Sequence, residues 1–483
     1  MTGERPARSD PAALQHHADR VAYWNAVAVA RDRWRGFGGY YHRRLARVYR
    51  HLVAPGQRVL ELGCGEGDLL AALEPSVGVG VDFATEMIGR ARRRHPTLRF
   101  IEGDAHELDL SETFDVIVMS DLANELWDVQ GLLERLRRCC HRRTRLVLNF
   151  YNRMWQPPLA LVRLLRMARP TLDQSWLHRE DMRSLLHLAG FEMVRTRTEI
   201  LLPVPVPVLS ALFNRVLARV WPFRLLALAH IVVARPVGLA SPADMPRVTV
   251  VVPARNEEGN IEAVVDRVPE MCGGTELIFV EGHSRDNTPD AIERAVAAHP
   301  ERRCVMLRQT GQGKGDAVRL GFAHATGDIV IILDADLTVP PEDLPRFVDA
   351  LIGGRAELVN GVRLVYPMEG QAMRFANLIG NRFFNLAFSW LLEQPVKDTL
   401  CGTKALWRSD YELIAANRTY LGDLDPFGDF DLLFGAARLS LRIVDLPVRY
   451  RARTYGETNI RRWSHGLLLI RMVARAAGRL KFV

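Results

Sequence analysis

Asp334 and Asp336 stand one residue apart at the end of an apolar run, in VIILDADLTVPP (330–341). In a strand, side chains at i and i+2 share a face, so this spacing predicts two carboxylates aimed at one spot. Bare, they would repel each other, and a shared divalent cation removes the repulsion. A second concentration of chemistry is GCGEG (63–67), which directly follows the apolar run RVLEL (58–62). Gly63, Gly65 and Gly67 allow a ligand to approach backbone where helix N–H groups point outward. Asp68 stands where a dinucleotide fingerprint has its third glycine, which counts against that ligand. Asp82 ends the next apolar run, at the distance of an acid that holds ribose hydroxyls. Asp104 ends the third run and would accept from an adenine amino group, and Glu61 would meet a cationic amino-acid moiety.

These residues need strands that end together. Strand-like runs at 58–62, 77–82, 98–104, 114–120 and 145–150 alternate with helical ones, and the pattern restarts at 247–253, 275–282, 303–308, 328–334 and 356–361. Such alternation predicts two parallel-sheet domains, with ligands at the strand C-ends. RTRTEILL (195–202) and LAHIVVAR (228–235) add a late antiparallel pair to the first sheet. The expected organisation is an extension at 1–35, a first domain at 36–238, a linker at 239–246 and a second domain at 247–483 that ends in an amphipathic helix.

The 483 residues suit two domains, and 25% charged with 48% hydrophobic residues is a globular composition. The net charge of +8 comes from sixty arginines and only four lysines, two of which (Lys314 and Lys404) fall in the motifs below. A basic balance suits phosphate groups or an anionic membrane surface, and no recognition motif speaks for nucleic acid. Six cysteines without a C-x-x-C pair, and an N-terminus without an apolar h-region, predict a reducing, cytoplasmic protein with no signal peptide. The best membrane-span candidate, ILLPVPVPVLSALFN (200–214), is short and holds three prolines.

ELGCGEG, GVGVD, EGDAHEL and FDVIVMSD, in this order, resemble a class I S-adenosylmethionine-dependent methyltransferase over residues 36–238. The resemblance implies a Rossmann-like sheet closed by the antiparallel pair. It also implies S-adenosylmethionine contacts at Glu61, Gly63, Gly65, Gly67, Asp82 and Asp104, with Asp121 nearby. GFGGYYHRR (36–44) would lid that site, and Tyr40, Tyr41 and His42 are candidates for acceptor contacts or a base. A lid without chemistry is the alternative. Methyl transfer from a sulfonium needs alignment and a deprotonated nucleophile, so no base need be advertised.

VVVPARNEEGNIEAVV (250–265), ELIFVEGHSRDNT (276–288), GQGKGDAVRLGFAHATGD (311–328) and the DAD at 334–336 together resemble a family-2 glycosyltransferase of GT-A, nucleotide-diphospho-sugar transferase fold. The nearest likeness is to polyprenyl-phosphate (dolichol-phosphate) sugar synthases. This implies Mg²⁺ or Mn²⁺ on Asp334 and Asp336, an inverting transfer, and a GDP- or UDP-sugar lined by Pro253, Glu257, Glu281, Asp286 and Lys314. Glu281 is followed by Gly282 where the family commonly has paired acids, and Thr338 stands where relatives carry a third polar ligand, which leaves donor identity open. DTLCGTKALWR (398–408) and FGDFDLLF (427–434) match later family blocks. There Asp429 and Asp431 would activate a hydroxyl acceptor. A phosphate acceptor would instead need cations, for which Arg363, Arg374, Lys404, Arg453, Arg461 and Arg462 are available.

Two helical stretches bear on that choice. Ile379, Phe383, Leu386 and Trp390 share a face of 371–394, and Arg471, Arg475 and Arg479 line one side of 464–483. A membrane-interface position explains both, as do core packing and dimerisation. The expected activity is therefore bifunctional: sugar transfer to a polyprenyl phosphate at the inner face of the cell membrane, with methylation by the first half. The alternative is transfer to a sugar hydroxyl, with the first half a non-catalytic cofactor-binding or interaction module.

Overall fold

The computed structural model describes residues 11–30, 38–164, 172–239, 245–363, 365, 375–418, 428–451, 453, 455 and 462–482. They form two compact units, one up to Leu239 and one from Ala240 to Lys481.

Helices α1 (Pro11–Ala30) and α2 (Gly38–Leu52) open the first unit. Its seven strands are β1 (Arg58–Leu62), β2 (Val77–Asp82), β3 (Arg99–Glu102), β4 (Phe114–Met119), β5 (Cys140–Tyr151), β6 (Phe191–Glu199) and β7 (Ala229–Pro236). Their order is β3-β2-β1-β4-β5-β7-β6. The first five run parallel, while β7 is antiparallel to both β5 and β6. The order reverses between β1 and β4, which opens a crevice at their C-ends. Helix α2 turns Tyr41, Leu45, Val48, Tyr49 and Leu52 onto the sheet residues Val59, Val118, Val147 and Ile231. That helical spacing makes one apolar face, and burying each such side chain contributes about 1.5–3 kcal/mol.

The second unit repeats the scheme with β8 (Val248–Ala254), β9 (Thr275–Glu281), β10 (Arg303–Arg308), β11 (Ile329–Ile332), β12 (Leu358–Val362), β13 (Lys404–Trp407) and β14 (Ile443–Pro447). The order is β10-β9-β8-β11-β13-β12-β14, with β13 antiparallel to β11 and β12. The near-continuous apolar runs of β8, β9 and β11 fit strands covered on both faces. β13 and β14 have no counterpart among the predicted runs: β13 is only four residues long, and β14 carries Asp445 and Pro447.

One expectation fails here. β11 ends at Ile332, so Asp334 and Asp336 lie in the turn beyond it and not in the strand. Leu337, with φ 53°, redirects the chain straight after them. Among the described residues no helix is long and apolar enough to cross a membrane.

Candidate active sites

In the first unit the chain leaves β1 through three glycines in the left-handed region, Gly63 (φ 69°), Gly65 (φ 53°) and Gly67 (φ 76°). A side chain at Gly67 would strike the Phe100 ring, whereas Gly65 faces open space. Asp82 holds this loop: its carboxylate accepts from Gly65 N–H and Ala84 N–H, each at 2.9 Å. Burial raises its pKa, against the pull of those backbone bonds. Glu61 is buried, and burial drives its carboxyl well above the usual range despite a bond from backbone. Its Oε2 has no hydrogen-bond partner. A buried carboxyl with one unsatisfied oxygen at the start of an open glycine loop fits a ligand carrying an ammonium group.

Asp104 caps the turn Ala105–Glu107, accepting from His106 N–H at 2.8 Å. Its carboxylate also meets His106 Nδ1 at 2.9 Å and His17 Nδ1 at 3.0 Å. Burial opposes its ionisation, but the histidines outweigh burial and hold its pKa low. His17 belongs to α1, as does Arg20, which bridges to Glu125 at 3.1 Å. The segment expected as an extension before the domain thus reaches the crevice at the strand C-ends, through Asp104. Nothing in its sequence marks His17, because a helical residue that contacts a distant strand end leaves no local pattern.

Asp121, at φ 57°, follows β4. Its Oδ1 accepts from Tyr41 Oη and from Asn149 Nδ2, both at 2.6 Å, and Tyr49 Oη donates to Asn149 Oδ1 at 2.7 Å. Burial, then the Asp121 charge, pushes the Tyr41 phenol well above its ordinary value. The three lid candidates part company. Tyr41 points to Asp121, Tyr40 Oη accepts from Asn214 Nδ2 at 3.0 Å, and His42 is exposed.

In the second unit the helix Lys314–His324 starts beside the C-end of β11, and the Lys314 ammonium pairs with Asp334 Oδ1. Burial alone would lower the Lys314 pKa. The charges of Asp334, Asp429 and Asp336 reverse this and hold it protonated. Burial likewise disfavours the Asp334 carboxylate, yet Lys314, Lys404 and Arg363 keep its pKa low. Asp336 pairs with Arg453 Nη2 at 2.6 Å and accepts from Thr338 Oγ1 at 2.8 Å. Each carboxylate of the DAD turn therefore holds its own side-chain cation. Carboxylate oxygens are hard donors of the kind that suits Mg²⁺ or Mn²⁺, and an ion there would have to displace Lys314 and Arg453 or share their oxygens.

Glu257 stands beside this pair, with Oε1 3.6 Å from Arg453 Nη1. Burial, aided by Asp336 and Asp334, pushes it up to about 7 against the opposing Asn260 bond and Arg453 charge. Pro253 lies near the end of β8, opposite Val280. Glu281 ends β9 and accepts from Ser284 N–H at 2.6 Å. Asp286 accepts from Thr288 N–H at 3.1 Å and from Glu258 N–H at 3.4 Å. Bonds from Asn256 N–H to Ser284 Oγ and from Arg285 N–H to Asn256 Oδ1 lace the loops after β8 and β9 together.

The acceptor-side residues divide. Asp429 starts the helix Asp429–Arg438, 3.4 Å from Lys404 Nζ, and its charge reaches Lys314. Asp431 lies on another side of that helix and meets Arg418 Nε at 2.6 Å, because residues two apart on a helix sit about 200° apart. Arg363 is committed to a buried bidentate pair with Asp398 (2.7 and 2.9 Å) and lies over Tyr450. Lys404 is fully buried against Cys401 O. Neither is placed as a free cation for a phosphate. Arg374 and Arg461 lie outside the described residues. Gly402, inside the DTLCGTKALWR block, touches the centre: a Cβ there would collide with Lys314 Nζ and Asp334 Oδ2.

Residues 37–196 match the family model described as methyltransferase domain, and residues 249–413 match glycosyl transferase family 2. The chain is 36% identical to undecaprenyl-phosphate 4-deoxy-4-formamido-L-arabinose transferase of Aeromonas hydrophila over 23% of this chain and 35% of that one. It is 28% identical to polyprenol monophosphomannose synthase of Mycolicibacterium smegmatis (44% and 79%). To dolichol-phosphate mannosyltransferase of Pyrococcus furiosus the identity is 31% (44% and 59%). The chain spans about a third of the length of the first of these relatives.

Proposed function

We propose that this chain, which joins a methyltransferase domain to a family-2 glycosyltransferase domain, carries two transfer activities. Its second unit moves a sugar, with inversion, from a GDP- or UDP-sugar to a polyprenyl phosphate. The observation that carries this reading is the gathering of Lys314, Asp334, Asp336 and Glu257 past the C-ends of β8 and β11. Asp334 and Asp336 would hold Mg²⁺ or Mn²⁺, which when bound neutralises charge on the departing diphosphate. Lys314 keeps an ammonium at the same place, and Pro253, Glu257, Glu281 and Asp286 border the space for the nucleoside. Relatives named for undecaprenyl phosphate, polyprenol and dolichol phosphate support the lipid acceptor. So do the exposed Phe383 and Leu386 of the helix Phe375–Leu392, which suit peripheral seating on the inner face of the cell membrane.

The internal commitment of Arg363 and Lys404 favours a second reading, transfer to a sugar hydroxyl with Asp429 as base. The first unit binds S-adenosylmethionine, a donor of an activated methyl group, through Glu61, Asp82, Asp104 and the Gly63–Gly67 loop. Asp121 and Tyr41 face the acceptor. The deciding experiment incubates radiolabelled sugar nucleotides, polyprenyl phosphate and Mn²⁺ with the full chain. Butanol-extractable label that disappears with Asp334→Asn is expected. Label appearing only in soluble glycan acceptors would move the assignment to the second reading.

A further inference from the structure

Between β6 and β7 the first unit inserts residues 200–228, built from a short helix Leu209–Ala211, a π-turn Leu212–Val216 and two 3-10 turns. Short elements interrupted by prolines do not bury their apolar side chains. Val208 is 81% exposed and Trp221 71%, and Leu209, Leu212, Phe223 and Leu225 are exposed beside them. A neighbouring segment extends this surface. Asn152 Nδ2 donates to Leu225 O and Ala227 O, both at 2.9 Å, and Trp155 Nε1 donates to Leu226 O at 2.8 Å. The helix that follows, Gln156–Leu164, exposes Leu161 and, at 79%, Leu164.

The charge pattern is one-sided. Residues 152–164 and 200–228 contain no Asp or Glu and five arginines, of which Arg219 is buried against Glu199. Arg153, Arg215 and Arg224 are exposed among the apolar side chains. A monomeric soluble surface rarely leaves so many large apolar side chains together. Apolar bulk with an aromatic crest and cations but no anions is complementary to an anionic bilayer, where rings sit at headgroup depth and arginines meet phosphates.

We infer that the β6–β7 insertion, together with the Gln156–Leu164 helix, is a monotopic docking surface for an anionic lipid membrane. It deepens the peripheral-membrane part of the reading above, on which it rests for the choice of a bilayer over a protein. It places a membrane contact on the methyltransferase unit, where no lipid substrate calls for one.

The test is flotation of the full chain with phosphatidylcholine vesicles, with and without phosphatidylglycerol. Phe223→Glu with Leu225→Glu is compared with the wild type and with Leu188→Glu, a still more exposed site outside the surface. Since both changed side chains are already exposed, folding is spared, and unchanged S-adenosylmethionine binding checks this. The wild type and Leu188→Glu should bind, more tightly with phosphatidylglycerol, and the double variant should partition about a hundredfold less. Equal partitioning of the double variant overturns the inference. So does a wild-type dimer that the double variant converts to monomer without vesicle binding, which would make the surface a contact between copies. Sugar transfer to polyprenyl phosphate in detergent is assayed on the same samples. Its absence throughout, with vesicle binding as expected, removes the lipid-acceptor reading and leaves the docking surface standing.

Discussion

The guanidinium Nη2 of Arg453 lies 2.6 Å from Oδ2 of Asp336, on one of the two carboxylates that the sequence offers to a divalent ion. The cation that quiets this carboxylate in the free protein comes from the far end of the domain, beyond β14. A metal ion must displace it or share the oxygen. Replacing Arg453 with Gln is therefore expected to tighten Mn²⁺ binding without nucleotide by about tenfold, since one charge-assisted bond no longer competes. Isothermal titration with Mn²⁺ checks this, and unchanged or weaker binding would show that the arginine does not hold the metal position.

Asp334→Asn or Asp336→Asn should lower kcat for sugar transfer by roughly 10²–10³, the usual cost of losing one preorganised electrostatic group. Asp431→Asn should leave transfer intact and cost about 1 kcal/mol of stability, because its partner is Arg418 at the partly exposed side of the helix. Transfer kinetics and thermal unfolding of the three variants separate the centre from the neighbouring ion pair.

At Gly402 the added methyl group of Ala would overlap the Lys314–Asp334 pair. A displacement of about 1 Å at a reacting centre costs about a hundredfold. Gly402→Ala should thus lose transfer by that order while keeping its unfolding temperature within a few degrees. Full activity in this variant would mean that the pair moves freely during turnover.

Asp82→Asn removes the charge that anchors Gly65 N–H and Ala84 N–H. Weakening these two charge-assisted bonds should reduce S-adenosylmethionine affinity by about ten- to a hundredfold. Calorimetry on the full chain reads this directly.

His230 on β7 lies between Phe150 and Thr198 on the flanking strands. Burial lowers its pKa to about 4, the Arg179 and His178 charges adding to the effect and Glu180 opposing it. Its unfolded value is near 6.5, so the unfolded chain binds the proton first as pH falls. The stability that the neutral ring contributes is whole above about 6.5 and is lost progressively down to about 4, by about 3 kcal/mol. His230→Gln should flatten that part of the curve for the first unit, as read by its unfolding midpoint against pH.

The residues of RVLEL and VGVGVD write β1 and β2 to the residue, because their apolar runs end in glycine or acid and only a buried parallel strand accommodates them. The glycines after β1, the acids that end β2 and follow β3, and the DAD acid pair past β11, though not the turn that carries it, could be read because a motif of adjacent residues needs no fold to bring it together. Their partners could not. His17 reaches Asp104 from α1, Arg453 reaches Asp336 across more than a hundred residues, and Gly402 backs Lys314 from the loop before β13. Sequence position says nothing of these encounters, since each depends on which helix or strand crosses the C-terminal edge of a sheet. In the same way Arg363 and Lys404, sixty arginines notwithstanding, looked free for a phosphate until Asp398 and the Cys401 carbonyl claimed them. Chemistry carried by neighbours in the chain was legible. The counter-charges that decide which of those groups stay available were set by packing, because a buried charge takes whatever partner the fold brings within reach.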